Sequence, residues 1–155
     1  FNLPFPGKDL FFADDAIQLI STRLVKEFLL PHYIHYKNSL VNSDHIRMHL
    51  CGDASRHFKL LKDSLGVNDF DTGFPIDFGK VREELGPDVT IQGGPNVMIL
   101  KEASAEEVTL ETKRILDSGV LVGGKFILRE GNNLAPHTPY TNLNAMYQVA
   151  KQYIF

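Results

Sequence analysis

The chain has 155 residues, of which 43% are apolar and 23% charged, with a formal net charge of −3. That length suits one domain with a sizeable core, and that charge offers no broad basic surface for nucleic acid. No apolar run reaches the length of a membrane span, and no charged-then-apolar leader opens the sequence. The single cysteine has no internal disulfide partner, so a reducing, cytoplasmic setting is the expectation.

Asp9 to Ala13 reads as a short apolar strand ending at Asp14-Asp15. Asp14 then serves as an N-cap, with Ile17, Ile20, Leu24 and Phe28 at helical spacing. Asp14 and Asp15 are read as helix-start residues rather than a catalytic carboxylate pair. Pro31 either kinks or ends that helix. Ile46 to Cys51 is a buried strand, and Phe58, Leu61 and Leu65 mark a helix stopped by Gly66. A strand over Val67 to Thr72 leads into Asp71-Thr72-Gly73 and a helix through Phe78, Val81 and Leu85, with Asp77 as its cap. Val89 to Gln92 is the next strand, ending in Gly93-Gly94-Pro95. Ser104 and Glu107 form a capping box, and Val108, Thr112, Ile115 and Gly119 line one helical face. Phe126-Ile127-Leu128 is the last strand. Thr138-Pro139 opens the last helix, with Leu143, Met146, Tyr147, Ala150 and Tyr153 on one side.

Strand–helix alternation repeated five times predicts an α/β fold with a parallel sheet. The glycine-rich and polar segments follow the strands, where barrels and open α/β sheets both carry their chemistry. No phosphate-binding glycine fingerprint follows the first strand. A closed (β/α)₈ barrel takes about 250 residues and eight units. The five units here are therefore expected to be the carboxyl-terminal five-eighths of such a barrel. Residues 1–155 form one partial domain, the amino-terminal units being absent and supplied by missing chain or a second polypeptide.

His49 and Cys51 stand two residues apart on a strand, so their side chains share a face. Imidazole beside thiolate is half of a zinc site. Asp71, Glu130 and His137 are candidates to complete it. Arg129-Glu130-Gly131-Asn132-Asn133 places an anion clamp and paired amides at a strand end, beside the alternative of a polar loop closed by an ion pair. Gln92-Gly93-Gly94-Pro95 lets backbone approach a ligand closely, or makes a tight turn.

On these segments the chain resembles the uroporphyrinogen decarboxylase superfamily, from about Leu10 to Tyr153. His49-Leu50-Cys51-Gly52-Asp53 is similar to the His-x-Cys-Gly segment of its cobalamin-dependent methyltransferase branch. Phe70 to Asp77, Ile91 to Pro95, and Gly123 to Leu128 through Thr138-Pro139, Asn142, Ala145 and Met146 resemble its later units. The resemblance implies a barrel about twice this length. It also implies a zinc-assisted methyl exchange with a corrinoid held by a partner protein, or a cofactor-free decarboxylation of a tetrapyrrole. A non-catalytic barrel fragment or binding subunit is the third reading. Asn132 stands where thiol-activating members carry a second cysteine and decarboxylases a histidine. On the methyltransferase reading His49 and Cys51 hold the metal, Asp71 or Glu130 completes or tunes it, and Asn132 and Gln92 orient a small methyl donor. Gly93, Arg129 and Asn133 would complete the substrate contacts.

Overall fold

A computed structural model describes residues 9–40 and 44–153, so the unit expected over 1–155 extends past both described ends. Five strands, β1 (Asp9–Ala13), β2 (His45–Leu50), β3 (Asp69–Thr72), β4 (Thr90–Gly93) and β5 (Phe126–Leu128), form one sheet in the order β1-β2-β3-β4-β5. Every neighbouring pair is parallel, with Leu10 opposite Ile46, His49 opposite Asp71, and Asp71 opposite Gln92. Consecutive parallel neighbours joined by helices are the unit of a barrel wall. The sheet is the partial barrel that the alternation predicts, and β1 and β5 are its two edges.

The helices α3 (Ser55–Leu65), α4 (Phe78–Leu85), α5 (Val97–Glu102), α6 (Ala105–Ile115) and α7 (Tyr140–Ala150) follow α1 (Thr22–Leu24) and α2 (Leu30–Leu40). Period-2 alternation splits β2 between two faces: Ile46, Met48 and Leu50 are buried under the helices, while His45, Arg47 and His49 point the other way. The buried set meets Phe58, Leu61 and Leu65 of α3, and Phe58 stacks on Phe70 with ring centroids 4.7 Å apart. Each such large side chain contributes about 1.5–3 kcal/mol by burial. On the opposite face Phe11 and Ile127, which flank the polar residues between them, stay about half exposed. That is the face a closed barrel turns inward.

Local chemistry corrects several expectations. Asp14 does not cap the first long helix. Its Oδ1 accepts from the N–H groups of Ala16 and Ile17 around a short 3₁₀ turn, Ile17–Leu19, and Ser21 is the true cap, accepting from Leu24 N. Phe28 is therefore exposed, and Val25 and Leu30 are the buried positions. Pro31 does not end the helix. A π-turn over Val25–Leu29 precedes it and absorbs the missing N–H, and α2 runs on to Leu40. Gly119 lies off the helical face, at φ 93°, where it ends the run after α6. α5 was not legible in the sequence pattern. In α7, Tyr147 is exposed, and Asn142 and Val149 are buried instead. The Asn142 amide donates to the carbonyls of Leu100 and Ala103 and so closes the end of α5. The Ser104–Glu107 capping box and the Asp77 cap form as expected.

At the amino ends of β4 and β5, Arg82 is buried and has no carboxylate partner among the described residues. It donates instead to four carbonyls, those of Val120, Gly86, Val89 and Lys125, at 2.7–2.9 Å. Burial pulls its guanidinium below the ordinary value. Among the described residues no helix is long and apolar enough to cross a membrane.

Candidate metal centre at the carboxyl end of the sheet

The shared strand face brings His49 Nε2 to 3.2 Å from Cys51 Sγ. On the ring's other side His49 Nδ1 lies 3.2 Å from Asp71 Oδ2. The negative charge of the buried carboxylate beside Nδ1 favours a proton on that side of the ring, which leaves the Nε2 lone pair for the sulfur side, the arrangement of a metal-ligating histidine. Asp71 is the hub of the face. The same Oδ2 accepts from Arg47 Nη2 and Arg129 Nη1, each at 2.8 Å. Register dictates this meeting, because Asp71 pairs with His49 on one side and Gln92 on the other.

Gln92 extends the network. Its Oε1 accepts from Arg47 at 3.1 Å, and its Nε2 donates to both oxygens of Asp69, at 2.7 and 3.0 Å. Arg47 also lies over the Phe11 ring, 5.6 Å from its centroid. Glu130 pairs with Arg129 Nη2 at 2.8 Å, so the guanidinium bridges the two carboxylates. Asn132 donates from Nδ2 to Cys51 Sγ at 3.4 Å, and the Asn133 N–H donates to Asn132 Oδ1.

His49, Cys51, Asp71, Gln92, Arg129, Glu130 and Asn132 thus form one connected cluster. Asn133 is exposed and joins it only through its backbone N–H. Gly93 faces elsewhere: a Cβ there would meet Thr72 Oγ1 at 2.5 Å and the Phe78 ring at 2.7 Å, so its smallness serves packing. Gly94 is the position of close approach, since a Cβ would fall 1.9 Å from the Arg129 carbonyl oxygen. Three residues escaped the sequence reading. Arg47 and Asp69 carry a period-2 signal, each lying two positions before a named site residue. Asp15, read as a helix start, instead brings its Oδ1 to 3.7 Å from His49 Nε2.

Asp15, His49 and Cys51 each offer a donor atom, and the three atoms lie within 4.8 Å of one another. The Nε2 to Sγ separation of 3.2 Å compares with about 3.5 Å between two corners of a tetrahedral zinc site. The donor chemistry therefore fits a zinc ion. Without a cation the thiol is pushed up to about 11, first by burial and then by its hydrogen bond and charge interaction with Asp15. Asn132 pulls in the opposite direction by donating to the sulfur, and the charge of Asp71 adds to the rise. A bound divalent ion reverses that balance and deprotonates the thiol.

Residues 10–153 match the uroporphyrinogen decarboxylase family. The chain belongs to that family. Among curated relatives, the methylcobamide:CoM methyltransferase MtbA of Methanosarcina acetivorans is 25% identical over 139 residues, covering 89% of this chain and 39% of that protein. The MtbA of Methanosarcina mazei is 24% identical over the same share. The chain spans about two-fifths of the length of these relatives. A solved structure of a methyltransferase from Methanosarcina mazei superposes with a TM-score of 0.74 at 21% identity, covering 96% of this chain and 43% of that one. That likeness establishes the partial barrel fold and agrees with the parallel order of the five strands.

Proposed function

We propose that the chain is the metal-holding, carboxyl-terminal part of a zinc-assisted methyltransferase that exchanges a methyl group with a corrinoid carried by a partner protein. The observation that carries this reading is the His49–Cys51 pair, with His49 held from behind by Asp71. Family membership and the methylcobamide methyltransferases among the relatives support it.

His49 Nε2 and Cys51 Sγ would hold the ion. When bound, zinc supplies Lewis acidity that makes a coordinated heteroatom a better nucleophile or leaving group. The Asp71 charge lies beside His49 Nδ1 and favours the proton there, and the Asn132 amide donates to the sulfur. Gln92 and Asn132, expected to orient a substrate, spend both ends of their amides inside the cluster, so they would hold Arg47, Asp69 and the Cys51 sulfur in place instead. Asp71 is committed to two guanidinium groups and the imidazole, so it serves as an electrostatic anchor rather than a proton carrier. Amino-terminal barrel units would close the site over this face, and the setting is the cytoplasm.

The test is zinc content of the intact protein, wild type beside Cys51→Ser, together with demethylation of a methylated corrinoid followed by visible absorption. Stoichiometric zinc in the wild type, lost in the variant along with the absorption change, is expected. Equal zinc in both, or none in either after zinc loading, overturns the reading. A tetrapyrrole-induced absorption change would then favour the decarboxylase, and its absence a non-catalytic subunit.

A further inference from the structure

We propose that Asp15 is the third protein donor of this centre, making it a nitrogen, sulfur and oxygen set with a single thiolate. The inference rests on the metal-holding reading above and deepens it.

Backbone geometry delivers Asp15 to the site. Ala13 pairs with His49 in the parallel register, and the Asp14 N–H donates to the His49 carbonyl at 3.0 Å. The chain leaving β1 is thereby tied to the end of β2, one residue before Asp15. The two neighbouring aspartates then divide the work. Asp14 spends one oxygen on the N–H groups of Ala16 and Ile17 and the other on the Tyr33 hydroxyl. Asp15 turns its carboxylate to the same space, with Oδ1 3.7 Å from His49 Nε2 and one donor atom from each of Asp15, His49 and Cys51 within 4.8 Å of the others. It is 68% exposed, so it meets the ion at the mouth of the site at little desolvation cost.

Of the donors expected to complete the site, His137 lies outside the group of converging donor atoms, and the others are engaged elsewhere. Asp71 sits on the Nδ1 side of His49, away from the sulfur, and holds two guanidinium groups. Glu130 is paired with Arg129. Asn132 is accounted for at both ends of its amide: Nδ2 gives its hydrogen to Sγ, and Oδ1 accepts from the Asn133 N–H. That second bond fixes which end of the amide faces the sulfur, so Asn132 presents a donor hydrogen there and no lone pair. Asn132 is a positioning residue. One thiolate and one carboxylate neutralise a divalent ion, and three protein donors leave a position open for substrate. Replacing a soft donor with a carboxylate hardens the site, so a borderline ion is favoured over the softest ones.

The experiment titrates cobalt(II) into the metal-free intact protein and its Asp15→Asn, Asp15→Glu, Asn132→Ala and Cys51→Ser variants. Affinity and the thiolate-to-cobalt charge-transfer band are recorded. Asp15→Asn should weaken binding by about 100-fold or more, beyond the 10–100-fold typical of an outer partner, yet keep the band at saturation. Asp15→Glu should recover to within about 10-fold, and Asn132→Ala should lose no more than the 10–100-fold of an outer partner. X-ray absorption should report one sulfur neighbour. Far-ultraviolet circular dichroism and thermal melts on each variant separate misfolding from ligand loss, and the Asp15→Glu rescue guards the same point. Unchanged affinity in Asp15→Asn, or two sulfur neighbours, would overturn the donor assignment alone. Absence of cobalt binding in the wild type, or binding indifferent to Cys51→Ser, would overturn the metal-holding reading first.

Discussion

Asp71→Asn removes one charge from the most heavily used oxygen in the site while keeping the side chain's shape. Two guanidinium donors converge on Oδ2, from Arg47 and Arg129 at 2.8 Å each, and His49 Nδ1 lies within ion-pair distance of it at 3.2 Å. A charge-assisted hydrogen bond is worth about 1.5–3 kcal/mol when buried. The two guanidinium side chains remain 34% and 26% exposed, so water recovers part of that, leaving about 1–1.5 kcal/mol apiece. With a further ~0.5 kcal/mol from the imidazole contact, the expected loss is about 3 kcal/mol. Urea denaturation of the intact protein measures it. The same substitution removes the negative charge beside His49 Nδ1, so zinc affinity should also fall by about 10–100-fold. A stability change below about 0.5 kcal/mol with unaltered zinc affinity would refute the hub. Loss of stability with full zinc affinity would show that the guanidinium groups matter and the imidazole contact does not.

In the metal-free protein, thiol alkylation at Cys51 should follow a pH profile centred at about 11 rather than near 9, and Asn132→Ala should move it higher still. The folded thiol ionises above its unfolded value, so its contribution to stability is complete below about pH 9 and fades as pH rises through about 11. A flat denaturation midpoint across that window, identical to that of Cys51→Ser, would contradict the burial of the thiol. Gly94→Ala should cost about 2–3 kcal/mol by chemical denaturation, because the new methyl group meets the Arg129 carbonyl; a neutral result would mean β4 and β5 separate easily there. Ser104→Ala should cost about 1 kcal/mol through loss of the capping box, leaving zinc content untouched.

Strand periodicity carried the architecture well. Leu10, Ile46, Phe70 and Ile91 sit in short apolar runs punctuated by glycine or aspartate, and each run became a strand of the sheet. The same period placed His49 and Cys51 together, which is why that half of the site was visible. What stayed hidden depended on contacts across strands. Arg47 reaches Asp71 across 24 positions and Arg129 reaches it across 58, and no local pattern encodes either meeting. Asp15 was concealed by its neighbour: two adjacent aspartates before a helical run look alike, and only the tie between Asp14 and β2 separates a turn-former from a group facing the sulfur. Helix faces suffered where polar side chains did structural work, as at Asn142, whose burial follows from the two carbonyls it satisfies.

The four carbonyls gathered by Arg82 give the two ends of the sheet different duties. At the amino ends of β4 and β5, one cation fastens the backbone itself, through groups that every residue possesses whatever its side chain. At the carboxyl ends, the cluster around Asp71 is made of side chains alone, each replaceable. Holding the wall from below frees the rim above it to vary. A loop residue such as Asn132 can be exchanged for another without loosening the strand that presents it, so the reactivity of this wall can drift while its shape stays put.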